Sequence, residues 1–216
     1  MPDDTNTNEF LLERARGGDC AALAELFQRH RDRLEQMVRL RLDRRLQSRL
    51  DPADVVQEAY LDVARRFPEY AADPALPFFL WVRLLTGQRL TDLHRRHLGA
   101  KMRNAGLEVS IHGGHFPRAS SASLAELLLG RLTTPSRAAV RAETQLRVQE
   151  ALNGMDATDR EVLVLRHFEM LSNEETAQVL GLKPSAASNR HIRALKRLKE
   201  ILAQVPGFGD SQRPEP

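Results

Sequence analysis

One candidate for a functional site is a basic stretch near the C-terminal end of the sequence. From Lys183 to Lys199 there are six Lys or Arg residues and no Asp or Glu. Such a stretch attracts phosphate, and short polar side chains among its cations can reach base edges in the major groove. The pattern predicts a helix that binds duplex DNA. Its expected contacts are Ser185, Ser188, Asn189, Arg190, Arg193 and Lys196.

A second candidate lies where aromatic residues precede basic ones. The aromatic members are Phe78, Phe79 and Trp81, and the basic members are Arg83, Arg89, Arg95 and Arg96. Aromatic rings stack on unpaired bases while guanidinium groups neutralise the phosphates. The pattern predicts contact with single-stranded DNA, although for Phe79 we favour a place in the core.

Histidines are the third candidate. His94 and His97 lie one helical turn apart, and His112 and His115 follow them. A zinc site needs further ligands at recognised spacing, and none accompanies these residues. The sequence also lacks a glycine-rich phosphate loop with its lysine and a nucleophile elbow. We therefore expect no catalysis, cofactor or metal, and we expect His94 and His97 to extend a basic helix end.

Composition indicates helices as the elements that position these residues. The chain has 216 residues, of which 42% are hydrophobic, 28% charged and only 5% aromatic, and its apolar residues recur at helical spacing. The single cysteine, Cys20, excludes an intrachain disulfide and suits a reducing, cytoplasmic setting. The sequence shows no export signal, and no apolar run approaches the roughly 18 residues that span a bilayer. We expect an all-α protein with no membrane partner.

Charge and turn residues divide the chain. Residues 99–141 hold six basic and two acidic residues, several glycines and serines, and one apolar island at 124–132 that could form a short helix. This composition predicts a flexible basic linker between two small helical domains. We predict a disordered tail at 1–9, domains at 10–98 and 142–203, the linker at 99–141, and a disordered tail at 204–216.

In the first domain, the segment 51–67 carries a helix start and one apolar face. Asp51 is the expected N-cap and Pro52 the first helical residue. The helix is expected to run to about Arg66, with Pro68 breaking it, and a second helix is expected from Phe78 to His97. The predicted apolar face consists of Val55, Val56, Ala59, Val63 and Phe67, and the predicted outward face of Asp54, Gln57, Glu58 and Asp62.

In the second domain, helix starts and a glycine turn predict a helix-turn-helix. Asp156 and Ser172 are the expected N-caps, the latter in a capping box with Glu175. Gly181 ends one helix and Pro184 begins the next, which would be the helix that recognises DNA. The expected shared core consists of Ala177, Val179, Leu180, Leu182, Ala187, Ala194, Leu195 and Leu198. An ordinary helical hairpin with a merely solvated basic face is the alternative.

Together these segments resemble the sigma-seventy class of bacterial initiation factors, especially its extracytoplasmic-function (ECF) group. The segment DPADVVQEAYLDVARRF resembles that group's polymerase-binding helix, and the helix ending TDLHRRH resembles its minus-ten reader. The segment from MDATDREVLVLRH to ALKRLKEIL resembles its minus-thirty-five reader. The resemblance covers roughly 10–97 and 145–202.

The resemblance implies partners and site residues. It assigns Asp54, Gln57 and Glu58 to the clamp helices of the largest polymerase subunit and implies a further contact with the polymerase flap. It assigns Ser185, Ser188, Asn189, Arg190, Arg193 and Lys196 to the minus-thirty-five duplex. An anti-sigma factor is a further expected partner. The residues assigned to the minus-ten element are the loop 72–78 with Phe78, Trp81, Gln88, Arg89, Asp92, Arg95 and Arg96.

A helix-turn-helix regulator that acts without polymerase is the alternative function. Such a regulator would need neither the acidic face from Asp54 to Asp62 nor the aromatic cluster from Phe78 to Trp81. Both features favour a dissociable polymerase subunit that recognises promoters.

Overall fold

The structure is a computed structural model that describes residues 3–98, 117–130 and 138–204, and helices joined by turns and short loops make up these ranges. The described residues contain nine helices and no strand. No helix in these ranges is both long enough and apolar enough to cross a membrane. The helices are α1 (Asp3–Arg16), α2 (Cys20–Arg41), α3 (Pro52–Ala72), α4 (Phe78–Leu98), α5 (Ser121–Gly130), α6 (Ala138–Asn153), α7 (Ala157–His167), α8 (Asn173–Leu180) and α9 (Pro184–Ala203).

The first compact unit consists of α1 to α4. Helix α2 packs against α1, α3 and α4, so it forms the centre of this unit. Its apolar stripe is buried as the periodicity predicts, with Leu34, Met37 and Val38 fully enclosed. The predicted apolar face of α3 is also buried, including Val63 at 0% exposure.

Two predictions for this unit were wrong. Residues 1–9 were predicted to be disordered, yet α1 begins at Asp3 because the helix that buries Leu11 and Ala15 continues through the polar residues before it. Pro68 was predicted to break α3, yet it lies inside that helix. Phe67 and Tyr70 are both buried, and their packing offsets the backbone hydrogen bond that proline cannot donate.

The second compact unit consists of α5 to α9. Helix α9 contacts α6, α7 and α8, while α5 packs against α6. Residues 118–130 therefore belong to this unit and not to a linker, which corrects the predicted range 99–141. Leu124 and Leu129 are each 1% exposed, and the buried Glu161 carboxylate accepts a hydrogen bond from the Ala119 amide. Residues 138–141, also predicted to belong to the linker, begin α6. The segments 99–116 and 131–137 lie outside the described residues, as does most of the predicted C-terminal tail.

Candidate nucleic-acid interface

Helices α8 and α9 form the predicted helix-turn-helix. Gly181 ends α8 with φ 63, a left-handed conformation that glycine adopts without steric cost. Ala177 and Ala187 are 3% and 0% exposed, so the helices meet through small side chains. The capping box of Ser172 and Glu175 is present, which fixes the start of α8.

The face of α9 that points away from this core is polar and basic. Ser185, Ser188, Asn189, Arg193 and Lys196 are all exposed. Their spacing of three or four residues places them along one side of the helix. Of the core residues predicted for α9, Ala187 and Ala194 are buried, but Leu195 is 38% exposed and is not part of the core. Leu195 lies partly on the solvent side of α9, although its neighbour Ala194 is fully buried.

Two arginines of α9 are held by a carboxylate of α7. Arg193 donates from Nε and Nη2 to Asp159 at 2.6 and 2.7 Å. Arg190 donates from Nη1 to Asp159 at 2.7 Å and to Asp156 at 3.1 Å. The hydrogen bond from Arg193, with a further contribution from Arg190, lowers the pKa of Asp159 below its usual value although burial opposes the shift. Arg190 was predicted to contact DNA, but its guanidinium is turned toward α7 and its side chain is only 30% exposed.

The acidic face of α3 in the other unit is arranged differently from the prediction at one position. Asp54, Gln57 and Glu58 are exposed as predicted. Asp62 was predicted to point outward, but its side chain is 14% exposed because it accepts hydrogen bonds from Arg89 on α4 and pairs with Arg65. Leu61, 67% exposed, lies on this face one turn after Gln57 and Glu58. Sequence reasoning missed it, and a leucine on an otherwise polar helix face is the signal that could have found it.

The aromatic cluster joins the end of α3 to the start of α4. Phe78 was predicted to stack on bases, but it is 8% exposed and its ring contacts those of Phe67, Tyr70 and Trp81. These contacts place Phe78 in the core, which corrects the prediction. Trp81 is partly exposed and stacks on Tyr70 with 4.3 Å between ring centroids and 18° between planes. Phe79 is buried, as we favoured.

Tyr70 also holds the segment between these helices. Its hydroxyl donates to the carbonyl of Leu76 at 3.0 Å, and burial raises the pKa of Tyr70 above its usual value. The hydroxyl therefore stays protonated and able to donate at neutral pH. The predicted minus-ten loop, 72–78, is thus tied to α3 by a side chain that the sequence analysis did not single out.

The remaining predicted minus-ten residues lie further along α4. Gln88, Arg95 and Arg96 are exposed, and Asp92 is half-exposed and pairs with Arg95 at 3.3 Å. Arg89 is only 20% exposed and is engaged by Asp62. The structure therefore brings together a polar surface on the C-terminal half of α4, with Arg89 at its inner edge.

Comparison with known proteins accords with this geometry. Residues 145–198, which include α7, α8 and most of α9, match the family model described as sigma-70, region 4. The ECF RNA polymerase sigma factor SigD of Mycobacterium tuberculosis is 30% identical over 90% of this chain and 84% of that relative. The chain belongs to the ECF group of sigma-70 factors. Its function is to bind core RNA polymerase and to direct promoter-specific initiation of transcription.

Further relatives cover nearly the whole of this sigma factor. The ECF RNA polymerase sigma factor ShbA of Streptomyces griseus is 29% identical over 94% of the chain and 98% of that relative. The solved structure of CnrH in complex with the cytosolic domain of CnrY shares 25% identity and a TM-score of 0.54. That match covers 91% of the sigma factor and 97% of the solved chain.

Of the four histidines considered as metal ligands, His94 and His97 lie in the described residues, and their surroundings differ. His94 is buried and accepts a hydrogen bond from the Asp43 amide through Nε2 at 3.3 Å, while His97 is exposed. His112 and His115 lie outside the described residues. Within those residues, no cluster of three or more His, Cys, Asp or Glu side chains could hold a metal ion. His94 is thus a core residue, which corrects its predicted place on the basic end of α4.

Proposed function

We propose that this sigma factor binds polymerase and promoter DNA through three exposed helix faces, one on each of α3, α4 and α9. The face of α9 carries the proposal, because it combines a helix-turn-helix geometry with exposed hydrogen-bonding and basic side chains and no acidic residue from 183 to 199. Binding energy, and no bond made or broken by its own residues, accounts for its activity. We place it in the cytoplasm, where core polymerase and promoter DNA are found.

The exposed face of α3 is the proposed polymerase contact. Asp54, Gln57 and Glu58 offer acidic and hydrogen-bonding groups, and Leu61 adds an apolar group beside them. An acidic rim around an apolar contact suits a basic partner surface, since complementary charge sets orientation while apolar burial contributes affinity. We assign this face to the clamp helices of the largest polymerase subunit. The flap of the polymerase remains the expected partner of the second unit.

The C-terminal half of α4 and the 72–78 loop are the proposed minus-ten contact. Trp81 is partly exposed at the base of the loop, so it offers a ring to an unpaired base. Gln88, Asp92, Arg95 and Arg96 offer hydrogen bonds and charge to the non-template strand. We propose that Arg89 orients this surface through its ion pair with Asp62, and that Phe78 supports it from the core.

The exposed side of α9 is the proposed minus-thirty-five contact. Ser185, Ser188 and Asn189 can bond to base edges, while Arg193 and Lys196 can reach bases or phosphates. Arg190 lies at the edge of this side because its guanidinium is turned toward α7. We place the boundary between the promoter-binding units in the interval 99–117.

A protein that binds and inhibits this sigma factor is a further expected partner. CnrH, which is 25% identical, was solved in complex with the cytosolic domain of CnrY. We propose that an anti-sigma factor binds this chain in a comparable way and competes with core polymerase. Copurification from cells grown without an inducing signal would test this.

The decisive experiment is reconstitution of the full chain with core polymerase on genomic DNA, followed by sequencing of transcript 5′ ends. We expect a limited set of start sites that share two upstream elements at constant spacing. Core polymerase alone is the control. If the chain binds duplex DNA but neither copurifies with core nor changes its start sites, the regulator hypothesis replaces this proposal.

A further inference from the structure

The carboxylate of Asp159 is almost enclosed, and two arginines of the DNA-facing helix donate to it. Its side chain is 7% exposed although it carries a charge. Arg193 presents its Nε and Nη2 edge to the carboxylate, whereas Arg190 presents Nη1 alone. Asp156, whose side chain is 57% exposed, also accepts from Arg190 and caps α7. One acidic residue of α7 therefore orients two cations of α9.

The ion pairs leave both arginines with donors that Asp159 does not use. The bonds from Arg193 do not use Nη1, and its side chain is 60% exposed. The bonds from Arg190 do not use Nε or Nη2. A guanidinium group is planar and rigid and has five N–H donors. When a carboxylate accepts from one edge of the group, the remaining donors point in a fixed direction.

Both α7 and α9 bury apolar side chains in addition to this carboxylate. Ala187 and Ala194 of α9 are fully buried, and Val162 and Leu165 of α7 are also fully buried. Apolar burial of this kind contributes to holding the helices of the unit together. The network at Asp159 adds to this packing a fixed orientation of the two arginines and a negative charge beside them.

We propose that Asp159 is a positioning residue that raises the selectivity of α9 for its upstream promoter element over other duplex DNA. This inference rests on the proposed role of α9. By fixing the guanidinium of Arg193 before DNA binds, Asp159 reduces the entropy lost in forming a specific contact. By placing a negative charge beside two cations, it weakens their attraction for phosphates of any sequence.

The charge needed for this role is present at neutral pH. The hydrogen bond from Arg193 is the main reason that the pKa of Asp159 lies below its usual value. Replacement by Asn keeps the shape of the side chain but removes the charge and one acceptor. The amide of Asn would also direct a donor toward the arginines. Asp159→Asn is therefore the informative variant.

The test uses holoenzyme, made from the full chain and core polymerase, and a DNA pool randomised upstream of the start site. We would compare wild type with Asp159→Asn, with Asp159→Glu and with the matched control Glu200→Gln. Glu200 is an exposed acidic residue of α9 that pairs with Arg197 at 3.1 Å and contacts neither Arg190 nor Arg193. Each amide variant removes one negative charge from the same unit.

We expect Asp159→Asn to reduce the affinity ratio between selected and unselected DNA about tenfold, partly by strengthening binding to unselected DNA. For this variant on unselected DNA, the plot of log binding constant against log salt concentration should become steeper by up to about one unit. Glu200→Gln should change this affinity ratio by less than about twofold, because a single exposed charge contributes little free energy. Asp159→Glu should recover part of the lost selectivity.

Two results would overturn the inference. One is an unchanged affinity ratio between selected and unselected DNA for Asp159→Asn. The other is an equal loss of affinity for both DNAs together with a lower melting temperature of the protein, which would show a purely structural role. The role of α9 itself is checked by Arg193→Ala and Asn189→Ala. If these two variants bind all sequences as wild type does, the proposed function of α9 fails together with the inference. If they lose base preference while Asp159→Asn does not, only the inference fails.

Discussion

The guanidinium of Arg89 on α4 donates through Nε, at 3.0 Å, and through Nη2 to a single carboxylate oxygen of Asp62 on α3. Both side chains are mostly buried, at 20% and 14% exposure. The pair joins the helix that we assign to polymerase to the helix that we assign to the minus-ten element. Through this ion pair, a shift of the polymerase-binding face of α3 can alter the position of the minus-ten face of α4.

We predict a coupling energy of about 1 kcal/mol between Arg89 and Asp62 in a double-mutant cycle of Arg89→Ala and Asp62→Ala, measured by urea unfolding. Each single variant should also slow promoter melting, since each breaks this ion pair, although Arg89→Ala also removes the longer pair with Glu58 at 3.9 Å and Asp62→Ala the pair with Arg65. Arg95→Ala serves as control, because Arg95 is 71% exposed and should show little effect on stability. If promoter melting is slower in Arg89→Ala but not in Asp62→Ala, Arg89 contacts DNA directly.

We predict that Gln57→Ala with Glu58→Lys weakens binding to core polymerase by about tenfold or more, since a hydrogen-bonding group is lost and a charge is reversed against a basic partner. Competition with another sigma factor for core would measure this. The matched control is Glu69→Lys, an exposed acidic residue about three turns further along α3. Undiminished competition by the double variant would exclude this face as the polymerase contact.

We predict that Trp81→Ala slows permanganate-detected promoter melting while the footprint over the upstream element persists, because only unpaired bases can stack on its ring. Trp81→Phe, which keeps an aromatic ring, should retain most of the activity. Phe78→Ala should instead lower the free energy of unfolding by about 3 to 5 kcal/mol, as expected for a core aromatic. Equal loss of melting and upstream footprint in a stably folded Trp81→Ala protein would contradict the assignment.

We predict that the first unit loses stability as the pH falls below about 6.5. Burial is the main cause that lowers the pKa of His94 in the folded protein, and the neighbouring Asp43 opposes the shift. The unfolded chain therefore binds a proton more readily than the folded one. The stabilising contribution of neutral His94 is complete above the ordinary pKa of 6.5 and is lost as the pH falls through the lowered value.

Fluorescence of Trp81, the single tryptophan of the chain, would report unfolding of this unit between pH 8 and 5. His94→Gln, which keeps an acceptor for the Asp43 amide, should flatten the pH dependence. His97→Gln, an exposed neighbour on the same helix, should follow wild type. An identical pH profile in wild type and His94→Gln would show that another group is responsible.

Local features of the fold were accessible from the sequence. Ser172, Gly181 and Pro184 mark helix ends that the structure contains, because a cap or a left-handed turn is formed within about one turn of chain. The buried face of α3 followed from periodicity for the same reason, since residues three and four apart share a side of any helix. The exposure of Asp54, Gln57 and Glu58 came from that same pattern.

Tertiary packing decided the surroundings of the other candidate residues. Asp159 lies 34 residues from Arg193, and Asp62 lies 27 from Arg89, so no local pattern relates the partners. Phe78 became a core residue only because Phe67 and Tyr70 of another helix close over its ring. Helical spacing determines which side of a helix a side chain occupies, but the neighbouring helix determines whether that side meets solvent, an apolar core or an opposite charge.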